Sequence, residues 1–239
     1  MQFTDEGYIT GLRRHGENSA ILTVVTKEHG KICGFVKSAF SKKKLAVLQL
    51  GNLIKIDAWS RVEENMLSLK IELISPYAVN FLSSADKLQV LSCFCNLCNI
   101  CLPEQQSLDK FYNFASNFIN LSHEENWITN YCYFEFYLLS FLGVGLDLSK
   151  CVVTSSTKNL TYVSPKSAMA VSLEAGLAYK DKLFKFPKFI VENNYYPSIE
   201  EVLDLLKMTG FFLNKNFFQI HNLQFPLVRA NLCENITKH

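Results

Sequence analysis

Nowhere does the sequence offer the ~18 uninterrupted apolar residues that a membrane-spanning helix needs, which excludes a helical membrane protein. Its opening, MQFTDEGYITG, lacks the basic start and apolar run of a secretion signal, so a soluble, cytoplasmic protein is expected. Also missing are G-x-S-x-G, a Walker phosphate loop and H-E-x-x-H, and with them the nucleophile elbow, nucleotide cradle and helical zinc site those motifs build. The histidines, His15, His29, His123, His221 and His239, fall in unrelated contexts. No enzyme, and hence no catalytic residue, is expected. Internal repeats and low-complexity linkers are lacking too, and the net charge of +2 is too small for its sum to name a polyanionic partner.

The distribution of charge says more than the sum. Between Tyr8 and Val62 there are ten basic residues against three acidic, a surplus of +7 that leaves the rest of the chain at −5. A basic N-terminal module followed by a mildly acidic body is the layout of a polyanion-binding domain attached to something else. With 49% hydrophobic residues the chain has ample material for a core.

From Phe3 to Ser75 the pattern is short β-rich runs divided by turn signals: GYITGLRR, SAILTVVT, KICGFVKSA, NLIKIDAWSRV and NMLSLKIELIS, with breaks at HGEN and KEHG. Five strands with no convincing helix suit a small closed barrel, since closure hides the sheet edges, and the OB-fold is the best match. SAILTVVT is apolar on both faces and is expected within the barrel wall against another element. In LIKIDAW, Ile54, Ile56 and Ala58 alternate with Lys55, Asp57 and Trp59, as a strand with one wet face should. Gly34, inside a strand pattern, predicts a bulge or sharp bend.

After Pro76 the texture turns helical. Apolar residues at helical spacing predict helices over Ala85–Leu102, with Ser83 or Ser84 as N-cap, Leu108–Leu121 and Asn126–Leu142, the last being the central helix of its domain. Ser149–Asn159 reads as a loop or short hairpin. Ser164 followed by Pro165 predicts a helix start, and Ser198 with Glu201 predicts a capping box before VLDLLKMTGFFLNKNFF. The fold class expected is α+β in two domains: a five-stranded OB-fold barrel over 1–78 and a mainly helical domain over 79–239.

Eight cysteines without a secretion signal read as reduced thiols. Cys95, Cys98 and Cys101 have a spacing used by iron–sulfur and zinc sites, but they fall in an apolar helical stretch where they fan around the axis, and core packing is the expected role. A metal or redox protein built on these three is the alternative they leave open. Cys151 has no second cysteine three residues on, because Thr154 stands there, so local residues cannot assemble a four-ligand zinc site.

The nucleic-acid signal is VKSAFSKKKLA. Barrels that hold single strands combine a basic groove with aromatic platforms for bases. The expected DNA-binding residues are Arg13, Arg14, Lys31, Lys37, Lys42, Lys43, Lys44, Trp59 and Arg61. Tyr8, Phe35 and Phe40 are further candidate platforms, and Trp59, beside Ser60 and Arg61 on the expected polar face, is the better one. A pure interaction scaffold, whose barrel docks protein rather than DNA, is the competing class.

GYITGLRRHGENSAILTVVTKEHGKICGFVKSA, SKKKLAVLQLGNLIKI, FLGVGLDLSKC, TYVSPKSAMAVSLEAGLAYKDKLFKFPKFI and the closing HNLQFPLVRANL together resemble the RecO family, recombination mediators of the RecF pathway. The similarity runs over nearly the whole chain, and YVSPKS with AVS and AG is its most specific part. The resemblance implies an OB-fold followed by a helical domain, and binding of single- and double-stranded DNA with annealing of complementary strands. It also implies cooperation with RecR in helping RecA replace single-strand-binding protein. A groove for the acidic, apolar tail of that protein is expected on the helical domain, its rim drawn from Lys150, Lys158, Lys166, Lys180, Lys182 and Arg229. Many members carry a four-cysteine zinc site after the central helix; this chain keeps only Cys151 there, in a degenerate zinc-ribbon-like loop near 146–163, so no metal or other cofactor is expected. Members often show a basic residue shortly after the position of Lys37, where this chain has Phe40, so phosphate contacts are expected to shift to Lys42, Lys43 and Lys44.

Overall fold

In LIKIDAW the two-residue period sends Ile54, Ile56 and Ala58 to one side, where they are fully buried, and leaves Lys55 and Trp59 exposed on the other. In the other N-terminal strands of the computed structural model, which describes residues 1–61, 66–192 and 195–236, inward residues are buried in the same way, and parts of the first three strands are buried on both faces. The strands are β1 (Gln2–His15), β2 (Ser19–Thr26), β3 (Gly30–Val36), β4 (Leu53–Trp59) and β5 (Leu67–Ser75). They close into a barrel in the order β1-β2-β3-β5-β4, with β1 returning to β4 and only β3 and β5 parallel. That is the five-stranded OB-fold expected from the strand count. Ile9, Leu22, Val24, Ile32, Ile56 and Leu69 are among the side chains that fill it.

Two details differ from the sequence pattern. The connection between β3 and β4 carries a short helix, α1 (Lys42–Val47), where no helix was expected; its first turn is three lysines, which local patterning assigns to a loop. Gly34 is not a bulge, for its pairing with Leu22 on β2 is regular. A Cβ at Gly34 would lie 2.4 Å from Leu69 Cγ, so the missing side chain lets β3 approach β5 and close the barrel. The register shifts fall instead between Ile9 and Gly11 and between Leu53 and Ile54.

By its Cα packing the chain divides into Met1–Trp127 and Ile128–His239. The first unit therefore holds, besides the barrel, α2 (Ala78–Phe81), α3 (Ala85–Cys101) and α4 (Asp109–Asn120). Ser84 caps α3, its side chain accepting from the Lys87 N–H. Cys93, Cys95, Cys98 and Cys101 are buried along α3 among Val90, Phe94 and Leu97, and burial pushes the Cys95 and Cys98 thiols up. They pack as small apolar side chains. Both α3 and α4 are tied to the barrel's outer surface. Asn99 exchanges hydrogen bonds with the hydroxyl (2.7 Å) and carbonyl (2.8 Å) of Thr10, and the Tyr8 hydroxyl reaches Ser116 and Asn120 on α4, both at 2.8 Å.

The second unit takes in nearly all of α5 (Trp127–Phe141), which buries Tyr131, Cys132, Phe134, Leu138 and Leu139. A three-stranded sheet follows in the order β7-β6-β8, made of β6 (Leu160–Val163), β7 (Ala170–Ser172) and β8 (Phe184–Lys185). The short helices α6 (Leu173–Gly176) and α7 (Lys188–Val191) precede α8 (Ile199–Leu213), and α9 (Leu227–Ala230) and α10 (Leu232–Ile236) end the described chain. The capping box of Ser198 and Glu201 opens α8 as expected, and α8 ends in one π-turn over Asn214–Phe218. No helix starts at Ser164. It stands in the tight connection between β6 and β7, its hydroxyl accepting the N–H groups of Lys166 and Ser167 at 3.3 Å each, so serine followed by proline marks a turn here.

Candidate nucleic-acid interface

The outer surface of the barrel is divided by what covers it. The cross-strand row Tyr8, Val25 and Lys31 is buried, in the part that α3 and α4 overlie. Farther along the same strands the row Arg13, Ile21 and Phe35 is open, Arg13 being exposed and Ile21 and Phe35 half-buried. Small nucleic-acid barrels use this β2–β3 surface together with the connections that follow β1 and β4.

The register carries that open row onward. Phe35 pairs with Ser68 across the parallel β3–β5 contact, and Ser68 pairs with Trp59 across β4–β5. Paired residues face the same side, so Phe35, Ser68 and Trp59 stand in one outward row. Trp59 is 44% exposed. The ring of His15, also exposed, meets Phe35 edge-on with centroids 5.6 Å apart.

Cations gather at the same end. The Ala39 N–H donates to the Asn18 carbonyl at 2.8 Å, joining the β1–β2 turn to the connection that leads into α1. Arg14 lies 4.9 Å over the Phe40 ring and donates to the carbonyls of Gly16 and Glu17. Lys44 folds back, its ammonium donating to the Lys37 carbonyl at 2.5 Å, while Lys37, Lys42 and Lys43 are exposed. Arg61, two residues beyond Trp59, is exposed as well.

Not every expected residue belongs to this cluster. Lys31 is 7% exposed and its ammonium is committed to the Asn99 carbonyl at 2.7 Å, so it anchors α3 to the barrel. Tyr8 is buried with its hydroxyl engaged by α4, and Phe40 lies half-buried against the barrel core under Arg14. Phe35 and Trp59 are the two expected platforms with open ring surface. Their common row depends on a parallel pairing between segments far apart in sequence, which no local pattern displays.

In the second unit Lys150, Lys158, Lys166, Lys180 and Lys182 are exposed. Arg229 is not a rim residue: it is 2% exposed, and its guanidinium is bound to the Glu135 carboxylate, the Leu206 carbonyl and the Thr209 hydroxyl. A cleft of about 300 Å³ opens beside β6, β8 and α8, with Tyr162, Phe186, Pro187 and Leu205 supplying apolar wall, Lys185 and Lys188 positive charge and Glu201 and Asp204 negative charge. Lys185 is paired to Asp204 at 2.8 Å. Neither lysine was singled out from sequence, where nothing shows that the β8 segment folds against α8.

The loop after α5 is closed by sulfur. The Cys151 Sγ accepts the N–H of Ser172 at 3.2 Å and of Thr154 at 3.5 Å. Burial alone would raise this thiol, but the groups of Ser172 and Thr154 outweigh it and pull it down to about 6. Among the described residues no three His, Cys, Asp or Glu side chains stand close enough to hold a metal ion, and no helix is long and apolar enough to cross a membrane. His239 lies outside the described residues.

Two family descriptions match this chain: "Recombination protein O N terminal" over residues 1–77 and "Recombination protein O C terminal" over residues 82–222. The chain belongs to the RecO family. DNA repair protein RecO of Bartonella quintana (strain Toulouse) is 32% identical over 98% of this chain and 97% of its own length. That of Rickettsia rickettsii (strain Iowa) is 37% identical over 93% and 92% respectively. The two RecO regions meet across residues 78–81, which are the residues of α2. The RecO N-terminal match therefore coincides with the closed barrel and its exposed cationic end.

Proposed function

We propose that this chain serves DNA repair as a mediator that holds single- and double-stranded DNA on its barrel and anneals complementary strands without making or breaking a covalent bond. The observation that carries this reading is the meeting of Arg13, Arg14, Lys37, Lys42 and Lys43 with the open rings of Phe35 and Trp59 at one end of the OB-fold. Annealing is opposed by repulsion between two phosphate backbones, and a cationic surface that holds both strands lowers that barrier through charge alone. No cofactor enters such a step. The site residues are Arg13, Arg14, Lys37, Lys42, Lys43, Lys44, Trp59 and Arg61, with Lys31 acting behind them as an anchor.

In this reading the protein works in the bacterial cytoplasm with RecR to help RecA replace single-strand-binding protein. The acidic, apolar tail of that protein docks in the cleft beside β8, its apolar end against Tyr162, Phe186 and Leu205 and its acidic residues toward Lys188 and toward the exposed Lys180 in the adjoining hollow that shares Tyr162 and Lys185. Lys150 and Lys166 are exposed but do not line that cleft, and Arg229 is buried.

The test is strand annealing by the purified full-length chain with no nucleotide or metal added. Annealing faster than the protein-free rate supports the mediator reading. Absence of both annealing and oligonucleotide binding at low ionic strength removes it in favour of a protein-docking barrel.

A further inference from the structure

We propose that Phe35 and Trp59 form a two-ring platform that takes unpaired bases and makes the barrel prefer single strands, an inference that rests on the DNA-binding reading of the barrel. The two residues stand in the same outward row, with the small Ser68 between them in the strand register. Two strand spacings of ~4.8 Å set their backbones roughly 10 Å apart, a span that a flexible single strand bridges with neighbouring bases. The faces of paired bases are hidden in a duplex, so an aromatic platform rewards only the unpaired strand.

Charge around the platform sets the path. On the Phe35 side stand Arg13, in the same row across β2, and Lys37, two residues farther along the chain; both are exposed. On the opposite side, outward on β4 and β5, Asp57 and Glu72 share Lys70, at 3.9 and 3.6 Å, and Asp57 also accepts from the Thr4 hydroxyl at 2.8 Å. That mixed patch gives phosphates no net attraction. The backbone is steered past Arg13 and Lys37, leaving bases to turn inward onto Phe35 and Trp59. Sequence-independent binding follows, because every base has a face to stack.

The chain has two tryptophans, so Trp127→Phe leaves Trp59 as the only one and its emission as a direct reporter. Titrating this full-length variant with a thymidine oligonucleotide is expected to quench that emission. In the native background, Trp59→Ala and Phe35→Ala are each expected to weaken single-strand binding roughly tenfold and duplex binding by much less, with Trp59→Phe retaining most of the single-strand binding. Circular dichroism and thermal melting establish that each variant is folded. If strands bind while Trp59 emission stays constant and both alanine variants keep native affinity, the platform is refuted and a charge-only surface remains. An equal loss of single-strand and duplex binding would refute the preference. If neither single strand nor duplex binds the native chain, the DNA reading itself fails.

Discussion

Arg229 donates to Glu135 across 2.7 Å in the interior of the second unit, where neither side chain is more than 2% exposed. The carboxylate also accepts from Tyr131 and from the Thr209 hydroxyl, and the guanidinium reaches the Leu206 carbonyl at 2.6 Å. The pair therefore joins α5, α8 and α9 through a set of directional bonds. Burial works against the charge on Arg229, but the Glu135 carboxylate outweighs it and holds the group firmly protonated.

Arg229→Met leaves the Glu135 carboxylate buried without its cation and should cost about 3–5 kcal/mol of stability. Replacing both residues, as Arg229→Met with Glu135→Leu, should restore much of that loss, because no uncompensated charge is left inside. Denaturant unfolding of the native chain, the single variant and the double variant measures both effects. A single variant as stable as the native chain would show that the pair does not hold the unit together.

Cys151 predicts a pH dependence of definite sign. Its folded value of about 6 lies below the ordinary 9.0, so in that interval the unfolded chain carries the proton that the folded chain has lost. The thiolate's stabilisation is fully present above about 9 and is lost as pH falls through about 6. The stability difference between the native chain and Cys151→Ala should therefore widen from pH 6 to pH 9, as read by thermal melting. A difference that is flat across this range would contradict the sulfur–amide contacts.

Gly34→Ala should destabilise the barrel by about 1–3 kcal/mol, since the added methyl meets Leu69 at 2.4 Å across the seam where β3 joins β5. Gly16→Ala serves as the comparison, for nothing lies within 4 Å of a Cβ there, though its φ of +66° adds backbone strain of its own. Equal unfolding midpoints for Gly34→Ala and the native chain would mean that the seam is loose.

What the sequence made legible follows from the range of the forces involved. The two-residue period of LIKIDAW and the serine–glutamate box at Ser198 are local, and strand and helix formed where they indicated. The cationic character of the barrel was legible as composition. Its geometry was not, because the retreat of Lys31 under Asn99 and the row through Ser68 are set by contacts between distant segments, and the folding back of Lys44 onto the Lys37 carbonyl follows from a short helix that no local pattern displayed. Arg229 illustrates the same limit: a basic residue in a terminal segment looks solvated until its buried partner, 94 positions away, is known. Ser164 with Pro165 shows the converse, one local motif serving two structures, helix start and turn, with sheet pairing deciding between them.

The central claim is that positive charge at one end of the barrel holds nucleic acid. Its most direct measurement is the affinity of the full-length chain for a single-stranded oligonucleotide against salt concentration, repeated for Lys42→Glu, Lys43→Glu and Lys44→Glu combined. With about four phosphates neutralised, log K should fall against log salt with a slope of roughly −3, and the triple variant should bind more weakly with a shallower slope and an unchanged fold. Affinity independent of salt, or a triple variant that binds as the native chain does, would contradict the account.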